Sequence, residues 1–156
     1  MGTRLHWVGW AIVVLALTAC SADYGVDQFG RKVPAASLEG QWLIVNYWAD
    51  WCGPCRKEVP ELNILAQQLQ HSGVRVLGVN YDGLREGELS KAVNLLGIQY
   101  TVLADDPAAR FELTRSEVLP VTYIIDATGR LRERLPGEQT AAGLQARLAA
   151  LQKELN

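Results

Sequence analysis

The chain predicts an α/β sandwich, on three observations. Continuous apolar, β-branched runs alternate with segments whose apolar residues recur at helical spacing. The last of these runs leads through a turn into an alternating stretch, which reads as a closing hairpin. A final helical segment follows. At 156 residues, with 49% hydrophobic and 21% charged residues, the chain suits one domain with a sizeable core. Net charge is −2 and no long basic run stands out, so no nucleic-acid footprint is indicated.

The elements follow in order. "DQFGRKVPAASLEG", 27–40, has Gly30 and Gly40 as turn markers, with a small hairpin or edge strand between them. "WLIVNYW", 42–48, reads as a strand buried on both faces. From Pro54 to about Gln70, Val59, Leu62, Leu65, Ala66 and Leu69 form a helical stripe, and Gly73 is a natural stop. "VRVLGVN", 74–80, is a second buried strand. Leu89, Ala92, Val93 and Leu96 share one helical face over 86–96, closed by Gly97. A strand is expected over 100–105, and Pro107 can open a short helix to about Leu113. Residues 121–126 form another strand, "RLRERL" (130–135) an edge strand with one wet face, and Thr140 caps a last helix carrying Leu144, Leu148 and Leu151. There is no internal repeat.

The first 20 residues differ from the rest. Arg4 precedes an apolar run from Trp7 to Leu17, then small residues and Cys20. This is the layout of an export signal. The run is too short for the roughly 20 helical residues that span a bilayer. A short transmembrane anchor beginning at Leu5 is the alternative. "LTAC", 17–20, resembles the bacterial lipobox, which implies cleavage before Cys20 and lipidation of its thiol. The expected organisation is a signal peptide over 1–19, a tether over 20–26 and a folded domain over 27–156. A lipidated Cys20 also accounts for the odd cysteine among three.

Cys52 and Cys55, in "NYWADWCGPCRKEVPELN" (46–63), admit three readings. A structural zinc needs four ligands. The chain adds only His6, within the signal, and His71, near a helix end. A purely structural disulfide would close a very small loop and gain little by restricting the unfolded chain. Redox chemistry fits the local physics better. The pair falls where a buried strand ends and a helix begins, so free N–H groups and the positive end of the helix dipole would favour a Cys52 thiolate. Pro54 suits a first helical turn. Cys55 lies three residues on, where it could resolve a mixed disulfide on Cys52.

"WCGPC" within "VNYWADWCGPCRKEVPEL" resembles the thioredoxin superfamily, and more closely its TlpA-like branch of exported, membrane-tethered thiol-disulfide oxidoreductases of ResA and DsbE type. The resemblance runs over roughly residues 26–154, strongest at 42–63 and again at "VLPVTYIIDATGR", 118–130, with "SLEG", 37–40, a weaker third segment. It implies a thioredoxin-like three-layer sandwich, a central mixed sheet flanked by helices, with that branch's central insertion at about 86–104. It also implies that Cys52 is the nucleophile, Cys55 the resolving cysteine and Trp51 a flanking, partner-facing tryptophan. Pro60 matches a proline that kinks the first helix. Pro120, preceded by Leu119, matches a cis-proline facing the cysteines, with the residue before it free to pair with substrate backbone. One position departs from thioredoxin itself. Asn46 stands where thioredoxin has a buried aspartate, and asparagine cannot take a proton near neutral pH. Glu58, one turn beyond Cys55, could take that duty if burial raises its pKa. It could equally be a solvated first-turn residue favoured by the dipole.

The expected function is therefore a membrane-anchored, extracytoplasmic thiol-disulfide oxidoreductase acting as a monomer, with no metal and no cofactor beyond the Cys52–Cys55 pair. The Gly-Pro between the cysteines is thioredoxin's, and thioredoxin is reducing, at about −270 mV against about −120 mV for the oxidant DsbA. A reductant in an oxidising compartment needs a membrane electron donor, by resemblance of DsbD or CcdA type. Its clients would be disulfides of exported proteins, as in cytochrome c maturation. Ser21 after the lipid cysteine hints at the outer membrane, whereas an inner-membrane donor argues the other way. The other readings are a thioredoxin-fold binding module, chaperone or metal-handling protein using the same thiols, and a peroxidase of the same superfamily.

Overall fold

The computed structural model describes residues 23–155. Its centre is a five-stranded mixed sheet of order β3-β2-β1-β4-β5. The strands are β1 (Trp42–Trp48), β2 (Val74–Asn80), β3 (Thr101–Leu103), β4 (Val121–Ile125) and β5 (Leu131–Pro136). The helices are α1 (Gly53–Gln68), α2 (Glu86–Leu96) and α3 (Ala141–Glu154). β1, β2 and β3 run parallel, while β4 lies antiparallel to β1 and to β5. β1 is central and buried along nearly its whole length, which is why its sequence shows no alternation.

Side-chain parity on β1 divides the core. Ile44 and Trp48 face one cluster, which also holds Val59, Leu62 and Leu65 of α1, Leu89 and Val93 of α2, and Leu144 and Leu148 of α3. Leu43, Val45 and Tyr47 face the other. Leu62 and Leu65 are fully buried, each contributing on the order of 2 kcal/mol. α3 docks on α1 through polar ends as well: the Ala141 N–H donates to Glu61 at 2.9 Å, and Gln145 to Gln68 at 2.8 Å. Gly97 ends α2 in the left-handed conformation, with φ of 69°.

All three α-helices thus lie on one face, so the expected layering holds with a correction. The opposite face is covered by a 3-10 turn at Ala35–Ser37 and irregular segments carrying Tyr24, Val33, Leu38 and Phe111. The helix expected from Pro107 to about Leu113 is a single 3-10 turn, Pro107–Ala109. Phe111 turns inward to stack on Tyr24 at 6.1 Å, and Glu112 adopts a φ of 54°, which no helix continues through. The strand expected over 100–105 is confined to Thr101–Leu103.

The N-terminal stretch needs two corrections. Of the tether expected over 20–26, Asp23 accepts from the Ala35 N–H at 3.2 Å and Tyr24 is buried. Residues 24–26 therefore belong to the domain. The small hairpin closes around Gly30's turn, over residues 24–33, rather than lying between Gly30 and Gly40: Val26 bridges Lys32, and the Tyr24 N–H donates to the Val33 carbonyl. Val26 and Gln28 then bond along the outer side of β3, the Gln28 N–H to Val102 O and the Ala104 N–H to Val26 O, both at 2.9 Å. The buried Gln28 amide adds two more bonds, to Tyr100 O and from the Val102 N–H. Cys20 and the expected signal peptide lie outside the described residues. Among the described residues, no helix is long and apolar enough to cross a membrane.

β5 forms the other edge, as its alternating sequence predicts. Thr140 caps α3, its Oγ1 accepting from the Gly143 N–H at 3.1 Å. Thr140→Ala should lower unfolding stability by about 1 kcal/mol. An unchanged urea midpoint would show that this bond contributes nothing.

Candidate active site

β1 delivers the chain to the reactive corner. After Trp48 a tight turn returns the Cys52 N–H to the Ala49 carbonyl, and Cys52 becomes the N-cap of α1. Pro54 occupies the first helical turn, where its missing N–H costs nothing. Cys52 and Cys55 form a disulfide of 2.02 Å with Cα atoms 5.3 Å apart. The Cys55 N–H donates to Cys52 Sγ at 3.2 Å. In the reduced protein that N–H and the helix dipole would favour negative charge on Cys52. Both cysteines are buried, Cys55 at 1% exposure and Cys52 at 4%.

Glu58 sits one turn beyond Cys55 and is buried at 1% exposure. Its Oε1 accepts from the Gln139 N–H at 3.0 Å and its Oε2 from Asn46 Nδ2 at 2.8 Å. The solvated-surface alternative is thereby set aside. Burial pushes the carboxyl up to about 7, against the two hydrogen bonds, which favour the anion; the Glu138 charge pushes the same way as burial. Asn46 Nδ2 also donates to Thr122 Oγ1 at 3.1 Å, across the β1–β4 register. Tyr100 is buried nearby, its phenol held neutral by desolvation and, to a lesser degree, by the Glu58 charge. Pro60 lies inside α1 and has no N–H to return to the Arg56 carbonyl.

The rim is built from loops. Trp51 is 64% exposed, and its Nε1 donates to Asp82 Oδ2 at 2.8 Å. Asp82 is placed by Asn80, whose Oδ1 accepts from the N–H groups of Asp82 and Leu84. The Leu119–Pro120 peptide bond is cis, and Leu119 packs against the cluster containing both cysteines. Ahead of it, Ser116 O accepts from Tyr81 OH at 3.0 Å and Ser116 Oγ from Arg134 at 2.8 Å.

The structure therefore gathers Asn46, Cys52, Cys55 and Glu58 around the start of α1, with Trp51 and Leu119 at its rim. His71 is an exposed residue of the turn after α1 with φ of 65°. Among the described residues, no group of three or more His, Cys, Asp or Glu is placed to hold a metal ion. Sequence reasoning missed Asp82, Tyr81, Ser116, Arg134 and Thr122. Each acts through a partner distant in the chain, and nothing in its immediate neighbours signals it.

Fold and site together define a thioredoxin-fold thiol-disulfide oxidoreductase. The chain belongs to the AhpC/TSA family, whose model matches residues 16–134. It is 30% identical over 122 residues to the thiol-disulfide oxidoreductase ResA of Bacillus thuringiensis, covering 78% of this chain and 70% of that one. ResA of Oceanobacillus iheyensis is 28% identical over 153 residues, covering 98% and 77%. Among solved structures, a DsbF homologue from Corynebacterium diphtheriae superposes with a TM-score of 0.68 at 25% identity, covering 81% of this chain and 82% of that one. A thiol:disulfide interchange protein from Chlorobium tepidum gives 0.65 at 27%, covering 82% and 90%.

Proposed function

We propose that the protein reduces disulfides of exported client proteins on the outer side of a bacterial membrane, held there by lipid on Cys20. The observation that carries the chemistry is Glu58, buried one turn beneath Cys55 with a carboxyl that titrates near neutrality. The reduced Cys52 thiolate attacks one client sulfur, and the other client sulfur leaves as a thiolate that takes a proton from water. Cys55 then gives its thiol proton to the Glu58 carboxylate and attacks Cys52 Sγ. The mixed disulfide breaks, the second client thiolate departs and takes the proton from Glu58, and the Cys52–Cys55 disulfide remains. Two electrons have passed from enzyme to client.

The oxidised enzyme must then be recharged, and a membrane dithiol donor of DsbD or CcdA type fits that need. Cytochrome c maturation, where haem attachment requires reduced cysteines, is a fitting client pathway. Trp51 offers an exposed indole, and Leu119 a backbone for pairing with the client beside the cysteines. The protein works as a monomer and needs no metal or other cofactor.

Dithiothreitol-driven insulin reduction tests the catalytic reading: wild type should accelerate it and Cys52→Ser should not. In the native host, Cys55→Ser should accumulate exported proteins as mixed disulfides on Cys52. An inactive wild type would overturn the reductase assignment.

A further inference from the structure

Asn46 carries a buried side-chain oxygen without a hydrogen-bond partner. From its placement we infer that Asn46 is a positioning residue for Glu58, whose amide turns over each time Glu58 gains or loses a proton. The inference rests on the reading of Glu58 as proton acceptor. Asn46 is 1% exposed and its Nδ2 serves two acceptors, Glu58 Oε2 and Thr122 Oγ1. This arrangement suits the carboxylate. Once Glu58 holds the Cys55 proton, the need reverses, because a carboxylic acid must donate. Of its two oxygens, Oε1 faces the Gln139 backbone N–H, which cannot become an acceptor. Oε2 faces an amide, which can. A half-turn of the Asn46 side chain brings Oδ1 where Nδ2 stood, to accept from Oε2–H and from the Thr122 hydroxyl.

Each orientation makes two bonds and leaves one amide atom unpaired. The turn therefore exchanges one unpaired buried atom for another, a similar cost in either state. Neither leucine nor aspartate could do this. Leucine offers nothing, and an aspartate carboxylate would oppose the Glu58 anion. The charged or titratable groups around Glu58 are Cys55 on its own helix, Tyr100 ahead of β3, and Glu138 before α3, which pairs with Lys57 at 3.9 Å. Glu138 and the disulfide-bonded Cys55 offer Oε2 no donor, and the Tyr100 hydroxyl, which could both donate and accept, makes no hydrogen bond to it.

The test is side-chain NMR of the oxidised wild-type protein between pH 5 and 9. The Glu58 carboxyl carbon and the Asn46 side-chain amide should titrate with one midpoint. Nuclear Overhauser contacts from the Asn46 amide protons to the Thr122 and Glu58 side chains should be present above that midpoint and lost below it. Contacts unchanged through a clear Glu58 titration would overturn the amide turn alone. A Glu58 carbon that does not titrate in this range would sink the reading of Glu58 as well.

Discussion

Replacing Glu58 by glutamine should slow resolution of the mixed disulfide about 100-fold at pH 7, the low end of what a positioned proton acceptor contributes. The same substitution should stabilise the protein at alkaline pH. Both effects have one source. The folded protein holds the Glu58 carboxyl at about 7, whereas its ordinary value is 4.5. Below 4.5 the group is protonated in folded and unfolded chains alike. Between 4.5 and about 7 the unfolded chain ionises freely while the folded one keeps its proton, so stability falls as pH rises. Above about 7 the full cost of burying the anion is present, on the order of 3 kcal/mol at 1.36 kcal/mol per pH unit. Glutamine is neutral throughout. Urea unfolding of the oxidised proteins should therefore show Glu58→Gln more stable by about 3 kcal/mol at pH 8 and nearly equal at pH 4. In kinetics, the wild-type rate should carry an inflection near 7 that the variant lacks. A variant with the same stability increment at both pH values, and an intact inflection, would mean that Glu58 does not carry the titration.

Gly78→Ala should destabilise the fold by about 1–3 kcal/mol, although alanine normally suits a strand better than glycine does. Gly78 lies in the middle of β2, opposite Asn46 of β1 and Val102 of β3. A Cβ there would stand 2.9 Å from Val102 Cγ2 and 3.0 Å from both Trp48 Nε1 and Tyr100 Cε2. All three side chains are buried and cannot swing into solvent. The glycine is there for the close approach of an indole and a phenol over the sheet. Because the displaced groups adjoin Asn46, activity should fall with stability. Adding Val102→Ala should recover part of the loss, a coupling readable in a double-mutant cycle. If Gly78→Ala is neutral by urea unfolding, this packing argument is wrong.

What the sequence made legible followed from the range of the interactions. β1, α1 and β2 could be read because each carries its own periodicity, and Cys52, Cys55 and Glu58 because one helical turn sets their spacing. The pairing of Asn46 with Thr122 spans 76 positions and exists only once β4 lies beside β1. Asp82, Tyr81 and Arg134 are ordinary polar residues until folding brings Trp51 and Ser116 to them. Pro107 opened a helix correctly, but Phe111 gains more by burying its ring against Tyr24 than by continuing one. That long-range preference is invisible to a local reading of 107–113. The cis state of Pro120 was accessible only through resemblance.

The filled margin of β3 bears on aggregation. Open strand edges recruit other extended chains. Here Val26–Gln28 occupies one outer edge of the sheet, backed by the Gln28 amide. The other, β5, presents Arg132, Glu133 and Arg134 and ends at Pro136. Neither margin is an apolar template on which a client could zip. A passing polypeptide thus meets no open apolar edge among the described residues, and the thiol corner with Trp51 and Leu119 at its rim is left as the place to hold it.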